Sequence, residues 1–131
     1  MSDFSSILDK VREFHDVFGL SYHETPKADI NDRIIELRHR LMAEENDEYL
    51  EAARDGNLNQ VADALGDKLY ILCGTIIAHG LQDKIVEVFE EIHRSNMSKL
   101  DKEGRPIYRE DGKILKSENY FMPDIDKVLK Q

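Results

Sequence analysis

Glycines that interrupt a helical pattern are the feature that most constrains the fold. In three successive segments apolar residues recur every three to four positions, and each segment ends at a glycine: Gly19, Gly56 and Gly80. Apolar residues at this spacing line one face of an α-helix, and glycine commonly follows a helix end. A fourth segment of the same period follows Gly80. The sequence therefore predicts an all-α, antiparallel helical bundle with helices near residues 3–18, 29–54, 57–79 and 82–98.

The end of the chain has a different pattern. After Leu100 the helical period stops, and Asp111-Gly112 separates two short runs that alternate apolar and polar residues. Asp-Gly in such a place favours a two-residue β-hairpin turn. Pro123 then predicts the start of a last short helix over residues 124–130. We expect one domain over residues 1–131, with a helical core at 1–100 and a hairpin and tail at 101–131.

Charge and cysteine content exclude several classes of function. The 131 residues include 27 acidic and 18 basic side chains, so the net charge of −9 argues against a partner such as duplex DNA or an anionic membrane. The single cysteine cannot form an intrachain disulfide, and no apolar run is long enough to span a bilayer, so we expect a cytoplasmic protein. Half of the basic residues follow His93. They either form a solvated tail or meet an anion held near an acidic centre.

Two glutamates continue the apolar stripe of the second helix. Ile34, Leu37 and Leu41 lie on one face, and the next positions in line are Glu45 and Glu48. A buried and unpaired carboxylate is costly, so it must be protonated, paired or bound to a metal. The alternative is that this acidic run is a solvated helix face.

The third helix is apolar on two sides. Its main stripe consists of Val61, Leu65, Leu69, Leu72 and Ile76, and the opposite face carries Asp63 and Asp67 among apolar residues. We therefore expect both faces to be covered, at least in a homodimer. Carboxylates from two antiparallel helices would then meet at one place. Oxygen ligands of this kind suit Mg²⁺ or Mn²⁺, and Mg²⁺ in such sites often also binds substrate phosphates.

These residues match the motifs of a known family. The run 44–48 fits an EExxE motif, and Asp67 fits the end of an ExxD motif on the next helix, although Ala64 stands where the glutamate would be and Asp63 precedes it. The chain resembles the MazG-like all-α nucleoside triphosphate pyrophosphohydrolases. The segment 93–100 is similar to a phage and bacterial branch that is sometimes labelled Cof-like.

The resemblance implies an activity and a set of site residues. The reaction is hydrolysis of a (d)NTP to a (d)NMP and pyrophosphate with Mg²⁺, or Mn²⁺, as cofactor. The implied metal ligands are Glu45, Glu48 and Asp67, with Asp63 as the substitute for the missing glutamate. Glu44 and Glu48 are the implied catalytic residues, with Glu44 as base for the attacking water.

The resemblance also suggests substrate contacts and an assembly. Asn96, Lys99 and Arg94 are expected to bind the substrate. His15 lies near two phenylalanines and either lines the base pocket or is a structural histidine. The resemblance to this branch suggests a purine deoxynucleotide such as dGTP or dATP as the substrate. The resemblance to the family suggests a homodimer or homotetramer.

Two other classes of protein remain as alternatives. One is a non-catalytic helical adaptor that dimerises through the third helix. The other is a di-iron carboxylate bundle, because Glu36-x-x-His39 and Glu90-x-x-His93 fit the Glu-x-x-His pattern. Helical rotation argues against the second, since these residues fall away from the apolar stripes.

Overall fold

The fold is all-α with one small β-hairpin near the C-terminus, as the sequence predicts. A computed structural model of the chain describes residues 3–131. Its helices are α1 (Phe4–Phe18), α2 (Asp32–Arg54), α3 (Leu58–Ala78), α4 (Ile85–Met97) and α5 (Ile125–Leu129), and its strands are β1 (Ile107–Tyr108) and β2 (Ile114–Leu115). No helix within residues 3–131 is both long and apolar enough to cross a membrane.

The chain forms two compact units, which divide between Asp83 and Lys84. The first unit contains α1, α2 and α3, and the second contains α4, the hairpin and α5. The single domain expected over residues 1–131 therefore stays a prediction, as does the packing of α4 beside α3.

Side-chain caps explain where the helices begin. The Asp3 carboxylate accepts a hydrogen bond from the Ser6 amide at 2.9 Å, and the Asn57 side chain accepts one from the Gln60 amide at 3.1 Å. These bonds satisfy amides that have no partner inside a helix. The start of α2 lies three residues later than predicted because Asn31, with φ 90°, caps the helix through the Arg33 amide.

The core of the first unit lies where α1 and α2 pack against α3. The fully buried apolar side chains include Val11 of α1, together with Cys73 and Ile77 of α3. Contacts between α2 and α3 run from Arg38 with Thr75 to Asn46 with Lys68, so the two helices are antiparallel. The three-residue connection after Arg54 produces this arrangement.

The predicted main stripe of α3 is buried only in part within the single chain, and its burial in a homodimer stays a prediction. Leu65, Leu69 and Leu72 are 40–49% exposed in the single chain. The buried face instead carries the small residues Ala64 and Gly74. Small side chains allow α2 to lie close to this face of α3. The three leucines lie on a different face of the helix as a consequence.

The loop before α2 covers the C-terminal end of α3. The amides of His23 and Lys27 donate hydrogen bonds to the carbonyls of Ile77 and His79 at 3.1 and 2.8 Å. Gly80 has φ 68°, and a Cβ there would collide with the backbone of Thr25. The terminal carbonyls of α3 are therefore paired by a loop that needs glycine beneath it.

The hairpin of the second unit is confirmed, but its turn is longer than predicted. Ile107 pairs with Leu115, and the Arg109 amide donates to the Lys113 carbonyl at 2.8 Å. Gly112 is the left-handed residue of the turn, with φ 87°. Three residues therefore separate Arg109 from Lys113, so Asp111-Gly112 is not a two-residue loop.

Candidate metal centre

Three carboxylates from two helices form the candidate metal centre. Glu45 and Glu48 of α2 and Asp67 of α3 each offer one oxygen, and these oxygens all lie within 4.8 Å of one another. Glu45 and Glu48 are three positions apart, so they lie on one face of α2. The predicted convergence of these three side chains is confirmed.

A direct contact between α2 and α3 supports this convergence. The Lys68 ammonium donates a hydrogen bond to the Asn46 side-chain oxygen at 2.7 Å. Each of these residues follows a member of the carboxylate group in sequence. The bond therefore joins the two helices at the level where the carboxylates meet.

The carboxylates differ in their exposure. Glu45 is half-buried, whereas Glu48 and Asp67 are exposed. The expectation that both glutamates of α2 face the core thus holds for Glu45 and is wrong for Glu48. The Oε2 atom of Glu45 is buried and has no hydrogen-bond partner within the described residues.

This environment makes it difficult for Glu45 to ionise. Burial raises the pKa of the Glu45 carboxyl, and the hydrogen bond to Glu48 and the charges of Glu48, Asp67 and Glu44 raise it further. A bound cation would favour the ionised carboxylate and so lower this pKa. The buried, unpartnered oxygen and the all-carboxylate donor set therefore fit a hard divalent cation that prefers oxygen ligands.

Asp63 lies beside this group but is not part of it. It lines an open cavity of about 270 Å³ between the end of α2 and the start of α3. The other lining residues are Glu48, Glu51, Ala52, Gln60 and Ala64. Ala64 is only 4% exposed. A glutamate in its place would therefore disturb the packing between α2 and α3.

Glu44 also lies outside the three-carboxylate group. Its Oε1 atom is 4.0 Å from the Arg40 Nε atom, and both side chains are well exposed. An ion pair of this kind contributes little to stability. The Glu44 carboxylate therefore remains accessible next to Glu45.

His15 is buried rather than open to a ligand. It is 3% exposed, and its Nδ1 atom lies 3.3 Å from the Ser21 carbonyl oxygen. Burial lowers the pKa of the imidazole, and the charge of Arg38 lowers it further, against the Ser21 contact. These features favour the structural alternative for His15, and its role in a base pocket stays a prediction.

The residues predicted to contact the substrate, which lie in α4 and just after it, belong to the second unit. Arg94 donates two hydrogen bonds to the Glu91 Oε1 atom at 3.0 and 2.9 Å, and its guanidinium lies 4.5 Å from the centre of the Phe121 ring. Asn96 is exposed and Lys99 is half-buried. Their role in substrate binding stays a prediction.

The profile of the phosphoribosyl-ATP pyrophosphohydrolase family matches residues 11–96. The chain belongs to this family. The phosphoribosyl-ATP pyrophosphohydrolases are part of the MazG-like all-α superfamily, which agrees with the resemblance found in the motifs. No curated protein sequence matches the chain.

Membership defines the activity at a coarse level. Phosphoribosyl-ATP pyrophosphohydrolases hydrolyse phosphoanhydride bonds of nucleotide substrates and typically depend on a divalent metal. The matched region contains all three carboxylates, and Asn96 is its last residue. The assignment to a phage or bacterial branch stays a prediction.

The four residues of the two Glu-x-x-His motifs are all exposed: Glu36, His39, Glu90 and His93. Within residues 3–131 the group spaced for a metal ion contains carboxylates only.

Several residues near the site were missed from the sequence. Glu51 and Gln60 line the cavity beside Glu48, and Lys68 and Asn46 join the helices. Arg38, on the buried side of α2, was also missed. The sequence signal for Arg38 is its position. It precedes Glu45 by seven residues and therefore lies on the same face of α2 as Glu45.

Proposed function

We propose that this protein hydrolyses a nucleoside triphosphate between the α and β phosphates, giving the monophosphate and pyrophosphate. The main support is the buried Glu45 oxygen, which has no hydrogen-bond partner among residues 3–131, within a group of three carboxylates in the family's matched region. This group contains no positively charged side chain, so it suits a substrate that binds together with a metal ion.

We infer that the metal is Mg²⁺, with Mn²⁺ as a working replacement. Glu45, Glu48 and Asp67 would hold it, and Asp63 would contribute from the adjacent cavity through water. When bound, the ion offsets the negative charge that develops on the leaving pyrophosphate.

The chain's own side chains perform the remaining tasks in this proposal. The exposed Glu44 carboxylate accepts the proton of the attacking water, beside Glu48. From the resemblance, Asn96, Lys99 and Arg94 of the second unit are proposed to bind the sugar and phosphates of the substrate. A cationic side chain forms strong, charge-assisted hydrogen bonds with phosphate oxygens. The preferred substrate is a purine deoxynucleotide, dGTP or dATP, which rests on the resemblance of the segment 93–100.

The products of the reaction test this proposal directly. Phosphorus NMR of a reaction with Mg²⁺ is expected to show monophosphate and pyrophosphate in equal amounts, since cleavage at the α phosphate releases both together. A panel of the common (d)NTPs, each followed by pyrophosphate release, should rank the purine deoxynucleotides first. Diphosphate and orthophosphate as products would contradict the proposed bond cleavage even if the reaction needs the metal.

We also propose that two copies of the chain associate through α3. Leu58, Leu65, Leu69 and Leu72 lie on one helical face and are 40–81% exposed. Four leucines aligned over four turns form an apolar stripe that a single chain leaves in water. A second copy would cover it, and the assembly would be a homodimer or a pair of such dimers.

Leu69→Glu is expected to convert the assembly to a lower oligomeric state, because it places a charge in the middle of the stripe. Sedimentation equilibrium at about 10–50 μM, a range in which a Kd of about 1 μM gives mainly dimer, measures the change. Val17→Glu is the matched control, since Val17 is 71% exposed on α1. A wild-type protein that sediments as a monomer throughout this range would argue against the α3 interface.

A further inference from the structure

A buried arginine without an acidic partner lies between α2 and α3. Arg38 is only 6% exposed, and it forms no ion pair with any residue that the structure describes. Its Nε atom donates to the Thr75 hydroxyl oxygen at 3.0 Å, and its Nη2 atom donates to the Ile71 carbonyl oxygen at 2.6 Å. The guanidinium thus reaches from α2 to two successive turns of α3.

The surface of α3 is shaped to receive this side chain. A Cβ at Gly74 would collide with the Arg38 Nη2 atom and would lie 3.1 Å from the His15 Nε2 atom. Only glycine at this position lets the guanidinium lie against the helix backbone. Glycine inside a helix is less favourable than alanine, so the close approach has to offset that loss.

The arginine and the metal centre occupy neighbouring levels of one helix–helix interface. Arg38 precedes Glu45 by two helical turns, or about 10 Å. On the antiparallel partner helix, Ile71 follows Asp67 by one turn. Sliding α3 along α2 would therefore break the Arg38 bonds and change the distance from Asp67 to the two glutamates together.

We propose that Arg38 is a positioning residue that fixes the register of α3 against α2 and thereby sets the spacing of Glu45, Glu48 and Asp67 for the metal. This inference rests on the proposed function, because it concerns the same centre. A guanidinium suits the task since its planar fork donates in fixed directions, whereas a lysine ammonium has a single flexible donor group.

Metal binding to the metal-free protein tests this inference without reference to turnover. Thermal unfolding is followed in a Mn²⁺ titration for wild type, Arg38→Lys, Thr75→Val and Gly74→Ala. Each variant is expected to need about 10-fold or more Mn²⁺ to reach the same rise in Tm above its own metal-free value, the range typical of residues that orient metal ligands. Val11→Ala is the control, because it opens a cavity in the same core from α1 and leaves the α2–α3 bonds in place.

The control separates register from stability. We expect Val11→Ala to lower Tm in the absence of metal and to reach a given rise in Tm at the wild-type Mn²⁺ concentration within about twofold, since its cavity affects stability and not the ligands. An unchanged Mn²⁺ requirement in Arg38→Lys and Thr75→Val would overturn the inference. If Arg38→Lys does not fold, the milder Thr75→Val decides, because it removes one acceptor at nearly constant volume. A wild-type protein that Mn²⁺ does not stabilise would instead contradict the proposed metal centre.

Discussion

Asp67→Asn is expected to lower turnover at least about 100-fold, which corresponds to about 2.7 kcal/mol of transition-state stabilisation. Asp67 is the only member of the carboxylate group that comes from α3. An amide cannot carry the charge that the two glutamates share with it around a cation. The fold should survive, because Asp67 is exposed and the change removes repulsion from its neighbours.

Steady-state pyrophosphate release with saturating Mg²⁺ measures this effect, with circular dichroism to verify the helices. Asp47→Asn is the matched control, since Asp47 is exposed on α2 and lies outside the group. Asp63→Asn should fall between the two, and its main change should be a 10- to 100-fold higher requirement for Mg²⁺, as expected of a residue that acts through water. More than about a tenth of wild-type turnover in Asp67→Asn, a loss below about 1.4 kcal/mol, would remove Asp67 from the ligand set.

Glu45→Gln is expected to stabilise the metal-free protein and to abolish its stabilisation by metal. The pKa of Glu45 is raised above its ordinary value of 4.5 in the folded state, chiefly by burial. A raised carboxyl pKa contributes stability that is fully present below the unfolded-state value and is lost as the pH rises through the folded-state value. At neutral pH the repulsion between its own carboxylates therefore lowers the stability of the metal-free wild-type protein.

Thermal unfolding with EDTA between pH 4 and pH 8 shows this difference. The Tm of wild type should fall relative to that of Glu45→Gln as the pH rises, ending lower by about 2–5 °C if the repulsion costs about 1 kcal/mol. Millimolar Mn²⁺ should reverse the order, because ligand that binds only the folded state raises its stability. A wild-type protein that gains nothing from Mn²⁺ would favour the adaptor alternative over the enzyme.

Much of the fold follows from local patterns in the sequence. The caps at Asp3 and Asn57 and the left-handed Gly19 define helix ends through backbone hydrogen bonds that involve only near neighbours. The hairpin follows from Asp111-Gly112 in the same way. Its turn length was missed because a three-residue loop also places glycine at a left-handed position.

The assignment of faces on α3 was less predictable. Periodicity alone favoured the stripe with the largest apolar side chains, which includes Leu65 and Leu69. The structure buries Ala64 and Gly74 instead, and at Gly74 the guanidinium of Arg38 leaves no room for a side chain. Hydrophobic patterning cannot distinguish a face that meets the chain's own core from one that remains available to a second copy.

The candidate site was predictable where a charged side chain occupies a helix position that the pattern expects to be apolar. Glu45 continues an apolar stripe, and its buried oxygen has no hydrogen-bond partner in the part of the chain that the structure describes. Asp63 was harder to place, since one residue along a helix rotates a side chain by about 100°. Arg38 gave no comparable signal, because its acceptors are a hydroxyl and a backbone carbonyl rather than an opposite charge.

The short connection between α2 and α3 has a consequence for how the protein reaches its native state. Every member of the carboxylate group lies within residues 45–67, on the two arms of one helical hairpin. Closing a loop this short costs little entropy, and contacts between near neighbours in sequence form fastest. The carboxylate group can therefore assemble early in folding, before α1 packs against α3, and a cation that binds at that moment would accelerate folding rather than only slow unfolding.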